Sequence, residues 1–268
     1  MLRRVASRPA GAIGLVLTAA FVVAAALAPL LAPRDPFAVD GPSLAPPSAR
    51  YLMGTDALGR DVASGVVHGA RTALLVTGTV GLLVLALAVP VGTLAGWRGG
   101  RIDDALMRIA EFFQVLPRFF LAIVVIALFG PGLNRLIAVL GITSWVLLAR
   151  IIRAEVLSLR EREFVEAARA SGASGLGTVV REILPNALPV AAAYLGLVLA
   201  QVLLIEASLG FLGLGDPNVV SWGAMASDAR SFARVAWWLP FFPGMAVVLA
   251  VLGLNLLADA LTAVLARR

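Results

Sequence analysis

The stretch RTALLVTGTVGLLVLALAVPVGTLAGWR, residues 71–98, decides the class of fold to which this chain belongs. Between its two terminal arginines it carries no charge, and as an α-helix it is long enough to cross a hydrocarbon layer about 30 Å thick. The whole chain has the same character, with 60% of its 268 residues hydrophobic, 14% charged and a mean hydropathy of +0.94. A water-soluble domain cannot bury that much apolar surface. We therefore predict an all-α integral membrane protein.

Five more stretches are candidates for crossing the membrane, three of them clean and two less so. The clean stretches carry no charge between residues 8 and 34, 182 and 206, and 234 and 259. Residues 105–129 carry Glu111 and Arg118, and the stretch between Arg135 and Arg150 offers only 14 uncharged residues. That last stretch can still cross if its flanking arginine side chains reach the headgroup layers. We predict about six transmembrane helices, which places both termini on one side.

The basic residues set the expected orientation, since cytoplasmic loops retain an excess of positive charge. All 22 of them are arginines. With the N-terminus inside, 14 fall in cytoplasmic segments, Arg267 and Arg268 among them, and seven fall in longer outer segments. We therefore expect both termini in the cytoplasm. Nucleic-acid binding is not indicated despite a pI near 11.2, because the arginines follow topology and form no single stripe interleaved with aromatic residues.

The chain divides into three parts along its length. Residues 1–32 hold the cytoplasmic N-terminus and the first span, which is longer than the apolar region of a signal peptide and is expected to be retained. Residues 33–71 form an external segment that begins with a proline-rich connector. Residues 72–268 hold a five-helix core, with a polar cytoplasmic loop at residues 153–189.

This cytoplasmic loop, RAEVLSLREREFVEAARASGASGLGTVVREILPNALP, is the most informative segment of the chain. It is too polar to cross a membrane. Residues 161–170 are strong helix formers, Gly172 and Gly175 interrupt them, and residues 177–184 can resume a helix. Pro185 either ends that helix or begins the next span. The pattern predicts a helix, a turn and a second helix.

One face of the first of these two helices suggests a contact with a partner. It presents one bulky anchor among small neighbours: Phe164, Ala167, Ala168 and Ser171. Such a surface fits a groove on another protein. On the pattern alone, a solvated loop helix explains the same residues equally well.

The same loop resembles that of a known family. The run EFVEAARASGAS, followed by ILPNALP, is similar to the EAA loop of binding-protein-dependent ABC importers, with Glu166, Ala167 and Ala168 preceding Gly172 at the family spacing. Further stretches narrow the resemblance to the second of the two permeases in the dipeptide, oligopeptide and nickel group. They are GTDALGRDVASG at 54–65, GARTAL at 69–74, EASLGFLGLG at 206–215 and SWGAM at 221–225. The resemblance runs from about residue 10 to residue 262.

The sequence departs from the family pattern at several external positions. Tyr51 stands where His is usual, Gly65 stands where Arg often follows Ser64, and Val219 and Val220 replace prolines. These departures bear on docking and on substrate.

The resemblance implies a transmembrane domain like that of type I ABC importers and a division of labour among subunits. The chain would be a permease subunit and not an enzyme, lining a pathway together with a homologous six-span permease in a bacterial-type inner membrane. Two P-loop ATPases would bind ATP and Mg²⁺ and dock on the EAA loops, and an extracytoplasmic binding protein would deliver substrate. The residues implied in ATPase coupling are Phe164, Glu166, Ala167, Ala168 and Gly172. Di- or oligopeptides are the expected substrates, with nickel or another small solute as the alternative.

The composition independently assigns ATP hydrolysis to another chain. A P-loop needs a lysine that reaches the nucleotide phosphates, and this chain contains no lysine. It also contains no cysteine, and its single histidine, His68, stands apart from any cluster of carboxylates that would complete a metal site. We therefore expect no cofactor or metal in this chain.

Three ionisable residues fall within the predicted spans, where a charge is costly and commonly functional. They are Glu111, Arg118 and Glu206. Arg118 is expected either to meet a peptide carboxylate in the pathway or to pair with Glu206 or Glu111 and fix helix packing. A relay of the three in an ion-coupled secondary transporter is the alternative, but it predicts two related halves that the sequence does not display. An intramembrane enzyme lacks support, because the chain offers no Ser/His/Asp set within its spans.

Two smaller patterns predict packing. Gly92 and Gly96 have the spacing that lets two membrane helices approach closely. The tryptophans at 222, 237 and 238 are expected to form an interfacial aromatic belt beside the last span.

Overall fold

The computed structural model describes residues 2–115 and 117–265, so Arg267 and Arg268 of the arginine count lie outside the described residues. The described part is helical, with one isolated bridge between Thr55 and Asp61. Its α-helices are α1 (Leu2–Ala6), α2 (Pro9–Ala26), α3 (Ala28–Leu31), α4 (Val62–Arg98), α5 (Gly100–Val115), α6 (Arg118–Phe129), α7 (Leu133–Leu159), α8 (Glu163–Ala170), α9 (Gly175–Thr178), α10 (Leu184–Phe211), α11 (Trp222–Asp228) and α12 (Trp238–Leu265). A π-helical turn at Val179–Ile183 joins α9 to α10, and a 3₁₀ turn at Ala229–Phe232 follows α11.

Five helical stretches are long and apolar enough to cross a membrane: α2, α4, α7, the continuous run from α9 through α10, and α12. The pair α5 and α6 passes the same test only when taken together, because the two helices are bent by 71° with respect to each other. The predicted six spans are therefore confirmed, with the third one broken.

The contacts at the two ends of the bundle show that the broken pair connects them. At one end the backbone N–H of Leu133, directly after α6, donates to Asp216 at 3.1 Å. At the other end Asp103, in the first turn of α5, binds Arg153 on α7. Because α7 runs from Leu133 to beyond Arg153, the start of α5 and the end of α6 lie at opposite ends of the molecule. The pair therefore spans the bundle.

The weakest predicted span, between Arg135 and Arg150, proves to be the most buried of the long helices. It lies within α7, where 67% of the apolar window is buried, against 17 to 33% in the other four. The arginines at its two ends also have partners within the protein. Arg135 donates to the carbonyl oxygens of Gly130 and Pro131 at 2.9 and 2.7 Å, and Arg150 lies 3.8 Å from Glu111.

Close packing of α4 against α7 forms the centre of the molecule. A Cβ at Gly92 would overlap the carbonyl oxygen of Ala149, and one at Gly96 would lie 2.8 Å from that of Arg153. The close approach predicted from the two glycines is confirmed, and its partner is α7. The main hydrophobic core fills the space between α4, α7 and α10.

The two termini meet at one end of the bundle. Val5 is fully buried against Ala260 and Val264 of α12, and the Arg8 guanidinium donates to the carbonyl oxygen of Ala263 at 3.2 Å. This contact agrees with an even number of spans.

The polar loop at residues 153–189 has the predicted helix, turn and second helix. Gly175 differs from the prediction, since it begins α9 and does not interrupt a helix. Of the two roles predicted for Pro185, the start of the next span is confirmed, because this proline lies in the first turn of α10, which continues to Phe211. Pro185 is tolerated because the preceding π turn already departs from the regular α-helical hydrogen-bond pattern.

The prediction of an interfacial aromatic belt is wrong for two of the three tryptophans. Trp222 and Trp238 are buried, and their indole N–H groups donate to the carbonyl oxygens of Val66 and Thr55 at 2.8 and 3.2 Å. Only Trp237 has the exposed ring that a belt requires. The buried pair instead attaches the external segment and the start of α4 to α11 and α12.

Candidate functional site

The eight-residue helix α8 projects from the end of α7 and has one buried and one exposed face. Val165 is fully buried in the main core. On the other side Phe164 is 40% exposed, and Glu166 and Ala167 are also exposed. Ala168, predicted to share that outward face, is half-buried at its margin. The structure thus places four of the predicted coupling residues on a short helix with an exposed outward face, and the fifth, Gly172, directly after it.

Gly172 ends α8 in the left-handed backbone conformation, with φ of +85°. Its N–H donates to the carbonyl oxygen of Arg169 and that of Ala173 donates to Ala168, both at 3.0 Å, so the last turn of the helix is closed. Lack of space does not require glycine at this position, since a Cβ would meet no atom within 4 Å. Glycine is favoured here by its backbone conformation, because any other side chain is strained at this φ.

Three arginines connect α8 and the end of α7 to neighbouring helices. From the sequence alone, these arginines predicted only the orientation of the chain in the membrane. Arg153 donates to both carboxylate oxygens of Asp103 at 2.5 Å. Arg160 donates to the carbonyl oxygen of Gly96 at 3.1 Å, and the Arg169 guanidinium carbon lies 4.5 Å above the Trp97 ring. No short-range pattern in the sequence predicts these contacts, because the partners are 50 or more residues apart in the chain.

The three intramembrane ionisable residues do not come together. Arg118 reaches Gln201 on α10 at 3.4 Å, and Glu111 faces Arg150 at 3.8 Å. Glu206 is 5% exposed and lies against the Ser221 hydroxyl. The predicted pairing of Arg118 with Glu111 or Glu206 is not formed. A bend of 71° separates α5, which carries Glu111, from α6, which begins at Arg118.

The end of the molecule opposite α8 holds a cavity of about 550 Å³ between residues 33–71 and the loop after α10. The motif stretches 54–65, 206–215 and 221–225 all contribute to its wall. So do Gly65, Val219 and Val220, three of the positions at which the sequence departs from its family pattern. Its charged lining residues are Asp56, Arg60, Asp61, Asp216 and Asp228. Burial raises the pKa of the Asp228 carboxyl. Tyr51 lies outside this cavity, with the guanidinium carbons of Arg34 and Arg50 within 5.5 Å of its ring centre.

His68 contributes to packing. Its Nε2 lies 3.0 Å from the carbonyl oxygen of Ala32 and so links α4 to the segment after α3.

The fold and the exposed helix define a class of protein. A bundle of apolar helices with a broken third span, carrying a short outward-facing helix at one end and a polar cavity at the other, is the membrane-spanning part of a transporter that works with other subunits. The family model described as "Binding-protein-dependent transport system inner membrane component" matches residues 88–268. The chain belongs to this family and is a multi-pass inner-membrane permease of an ABC importer.

Individual relatives extend the match over nearly the whole chain. A permease of Brucella suis assigned to peptide transport is 39% identical over 265 residues, covering 98% of this chain and 89% of the relative. The di/tripeptide transport system permease of Pseudomonas aeruginosa is 36% identical, with 94% and 86% coverage. The nickel transport system permease of Escherichia coli is 37% identical, with 85% and 83% coverage.

A solved structure supports the fold. The methionine ABC transporter MetNI in an inward-facing conformation aligns with a TM-score of 0.56 and 23% identity, covering 76% of this chain and 97% of that chain.

Proposed function

We propose that this chain pairs with a second, homologous six-span permease, and that two ATPase subunits dock on the α8 helices of the pair. The outward face of α8 is the observation that carries this proposal. Phe164, Glu166 and Ala167 are exposed on a helix whose opposite side is anchored by Val165, so the helix is held firmly while its outer face stays available. A bulky anchor among small side chains suits a groove on a partner.

ATP and Mg²⁺ bind to the ATPases in this proposal, and the permease holds no cofactor. The lack of lysine supports this division. An extracytoplasmic binding protein delivers the substrate at the end that carries the external cavity, and both termini lie in the cytoplasm.

The proposed substrates are di- or oligopeptides. The names of the Brucella and Pseudomonas relatives support a peptide, and their matches cover more of this chain than that of the nickel permease. Within the membrane, Arg118 is the proposed contact for a substrate carboxylate. Its guanidinium has one amide oxygen as its hydrogen-bond partner in the described chain, which leaves donors for an anionic group.

The docking proposal is tested by co-purification. The tagged chain is coexpressed with its chromosomal neighbours, purified in mild detergent, and assayed for bound proteins and ATP hydrolysis. We expect a second six-span protein and two P-loop ATPases. Phe164→Ala and Gly172→Ala should each reduce the recovered ATPase at least several-fold, the first by removing the anchor and the second by straining the turn that ends α8.

Gly213→Ala is the matched control. Gly213 also has a positive φ, +78°, and its Cβ would also meet no atom within 4 Å, but it lies at the external end of the molecule. The same backbone strain there should leave ATPase recovery unchanged. A chain that purifies without ATPases and transports in response to a pH gradient alone would overturn the proposal in favour of a secondary transporter.

A further inference from the structure

The helix α8 is joined to the rest of the molecule by a covalent turn at each end and by two side-chain contacts. The turns are residues 160–162, which follow α7, and residues 171–174, which lead to α9. Val165 anchors the first turn of α8 in the main core. One turn further on, the Arg169 guanidinium carbon lies 4.5 Å above the ring of Trp97.

Arg169 follows Val165 by four residues and so lies on the same side of α8. The residue as a whole is exposed, while its guanidinium lies over the Trp97 ring. Its guanidinium covers an aromatic ring that is itself half-buried against the main core. The contact is therefore part of the attachment of α8 to the bundle.

Trp97 lies in the last turn of α4, a helix that extends from this contact to the opposite end of the molecule. At 1.5 Å per residue, the 37 residues of α4 extend about 55 Å. Its first turn is capped by Asp61, a residue of the external cavity, through a hydrogen bond from the Ser64 N–H at 3.1 Å. The Arg169 contact thus joins α8 to a helix that ends at the opposite face of the molecule.

The two ends of α8 contact α4 at different points. At the entry turn, Arg160 donates to the carbonyl oxygen of Gly96. In the last turn of α8, the contact of Arg169 with Trp97 attaches the helix itself to α4. The contact is also reversible, because a stacked guanidinium can slide or separate without breaking a covalent bond.

We propose that Arg169 is a positioning residue that transfers movement of α8 to α4 through its contact with Trp97. This inference rests on the proposed docking of ATPases on α8. It assigns to Arg169 and Trp97 the step that links nucleotide-driven movement to the membrane helices, and leaves docking itself to the outward face.

The test uses the complete transporter reconstituted in proteoliposomes, with uptake and ATP hydrolysis measured on the same preparation. Arg169→Ala and Trp97→Leu should retain bound ATPases and hydrolyse ATP within about twofold of wild type, while substrate moved per ATP falls at least fivefold. Arg169→Lys and Trp97→Phe, which keep a cation and an aromatic ring, should recover much of that ratio. The double variant Arg169→Ala with Trp97→Leu should be no worse than either single variant, because both remove one contact.

Arg181→Ala is the matched control, since it removes an exposed arginine from the same loop. It should leave the ratio unchanged. An unchanged ratio in Arg169→Ala would overturn the inference, and so would loss of bound ATPase from that variant, which would place Arg169 in the docking surface. Wild-type protein that binds no ATPase would instead overturn the proposed function. Equal elution profiles on size-exclusion chromatography confirm that each variant is folded.

Discussion

Arg118 is a cation at the start of α6, and its contact across the bundle is a single amide oxygen at 3.4 Å. If it binds the carboxylate of a peptide, Arg118→Gln should weaken uptake of peptides with a free C-terminus about tenfold or more, because a hydrogen bond to a charged group is worth about 1.5 to 3 kcal/mol. Peptide uptake by Arg118→Lys should lie between that of wild type and that of Arg118→Gln, since lysine keeps the charge without the bidentate geometry. Competition assays with matched free and C-amidated peptides measure the effect. An equal loss for both kinds of peptide would contradict a carboxylate contact.

Asp216 gives a second residue-scale prediction, at the external end. Hydrogen bonds from the backbone N–H groups of Asn218 and Leu133, at 2.9 and 3.1 Å, lower the pKa of its carboxyl. A lowered pKa in the folded state stabilises the protein above the unfolded pKa of about 3.9, and the stabilisation is lost as pH falls through the folded value. Asp216→Asn should therefore lower the thermal midpoint at neutral pH, by about 2 °C given the partial exposure of the site.

The difference between Asp216→Asn and wild type should shrink as the pH falls below about 4, where the unfolded carboxyl becomes protonated, and should disappear only below the lower pKa of the folded state. Thermal unfolding in detergent at several pH values measures it. Asp40→Asn is the control, since Asp40 is an exposed carboxylate on the same external segment. A difference that stays constant down to pH 3 would show that charge on Asp216 plays no part.

At the scale of residues, the sequence predicts the conformation of some positions but not their contacts. Gly172 at the end of a helix-forming run pointed to a turn, and its positive φ confirms one. The partners of Arg153 and Arg169 could not be predicted, because each lies at least 50 residues away and is brought near only by packing of α4, α5 and α7. The contact of Arg118 with Gln201 on α10 was likewise not predicted, since the two residues are 83 positions apart.

Among the helices, the contact of α4 with α7 gives the sharpest prediction. A Cβ at Gly92 would overlap the backbone of Ala149, which cannot move aside as a flexible side chain can. Overpacking of this kind costs about 1 to 3 kcal/mol. Gly92→Ala should therefore lower the thermal midpoint in detergent by roughly 5 °C for a chain of this length.

Gly78→Ala is the matched control, on the same helix, because a Cβ at Gly78 meets no atom within 4 Å. It should leave the midpoint unchanged or raise it slightly, since alanine is the better helix former. Fluorescence-detected size-exclusion chromatography after heating measures both variants. Equal effects of the two substitutions would show that helix propensity, and not the approach of α4 to α7, decides stability here.

The helices themselves were predictable because a membrane imposes length and freedom from charge. The exception is the third span, where the proline at 117 and the charges at 111 and 118 now mark a break between α5 and α6. The stretch at 135–150 was the least certain span because its uncharged part is short, yet it lies in the most buried of the long helices. Its arginines are satisfied by carbonyl oxygens and by Glu111, a solution that a count of uncharged residues cannot anticipate.

For the whole molecule, the contacts fix which segments share an end. Trp238 with Thr55 joins the external segment to the start of α12, and Leu133 with Asp216 joins the turn before α7 to the loop after α10. The opposite end collects the base of α8, the start of α5 and both termini. This arrangement follows from side-chain contacts alone, whereas the direction in which the bundle crosses the membrane rests on the distribution of arginines.

The direction of crossing can be measured directly because the chain contains no cysteine. Single cysteines at three exposed positions, Ser7→Cys, Ala49→Cys and Ala173→Cys, report on the N-terminus, the external segment and the loop after α8. With both termini in the cytoplasm, a membrane-impermeant maleimide added to spheroplasts should label only position 49, and in inside-out vesicles only positions 7 and 173. The reverse pattern would show that the arginines mispredict orientation. Labelling of 7 and 173 from different sides would contradict the bundle itself, because an even number of spans and the contact of Val5 with α12 place them at the same end.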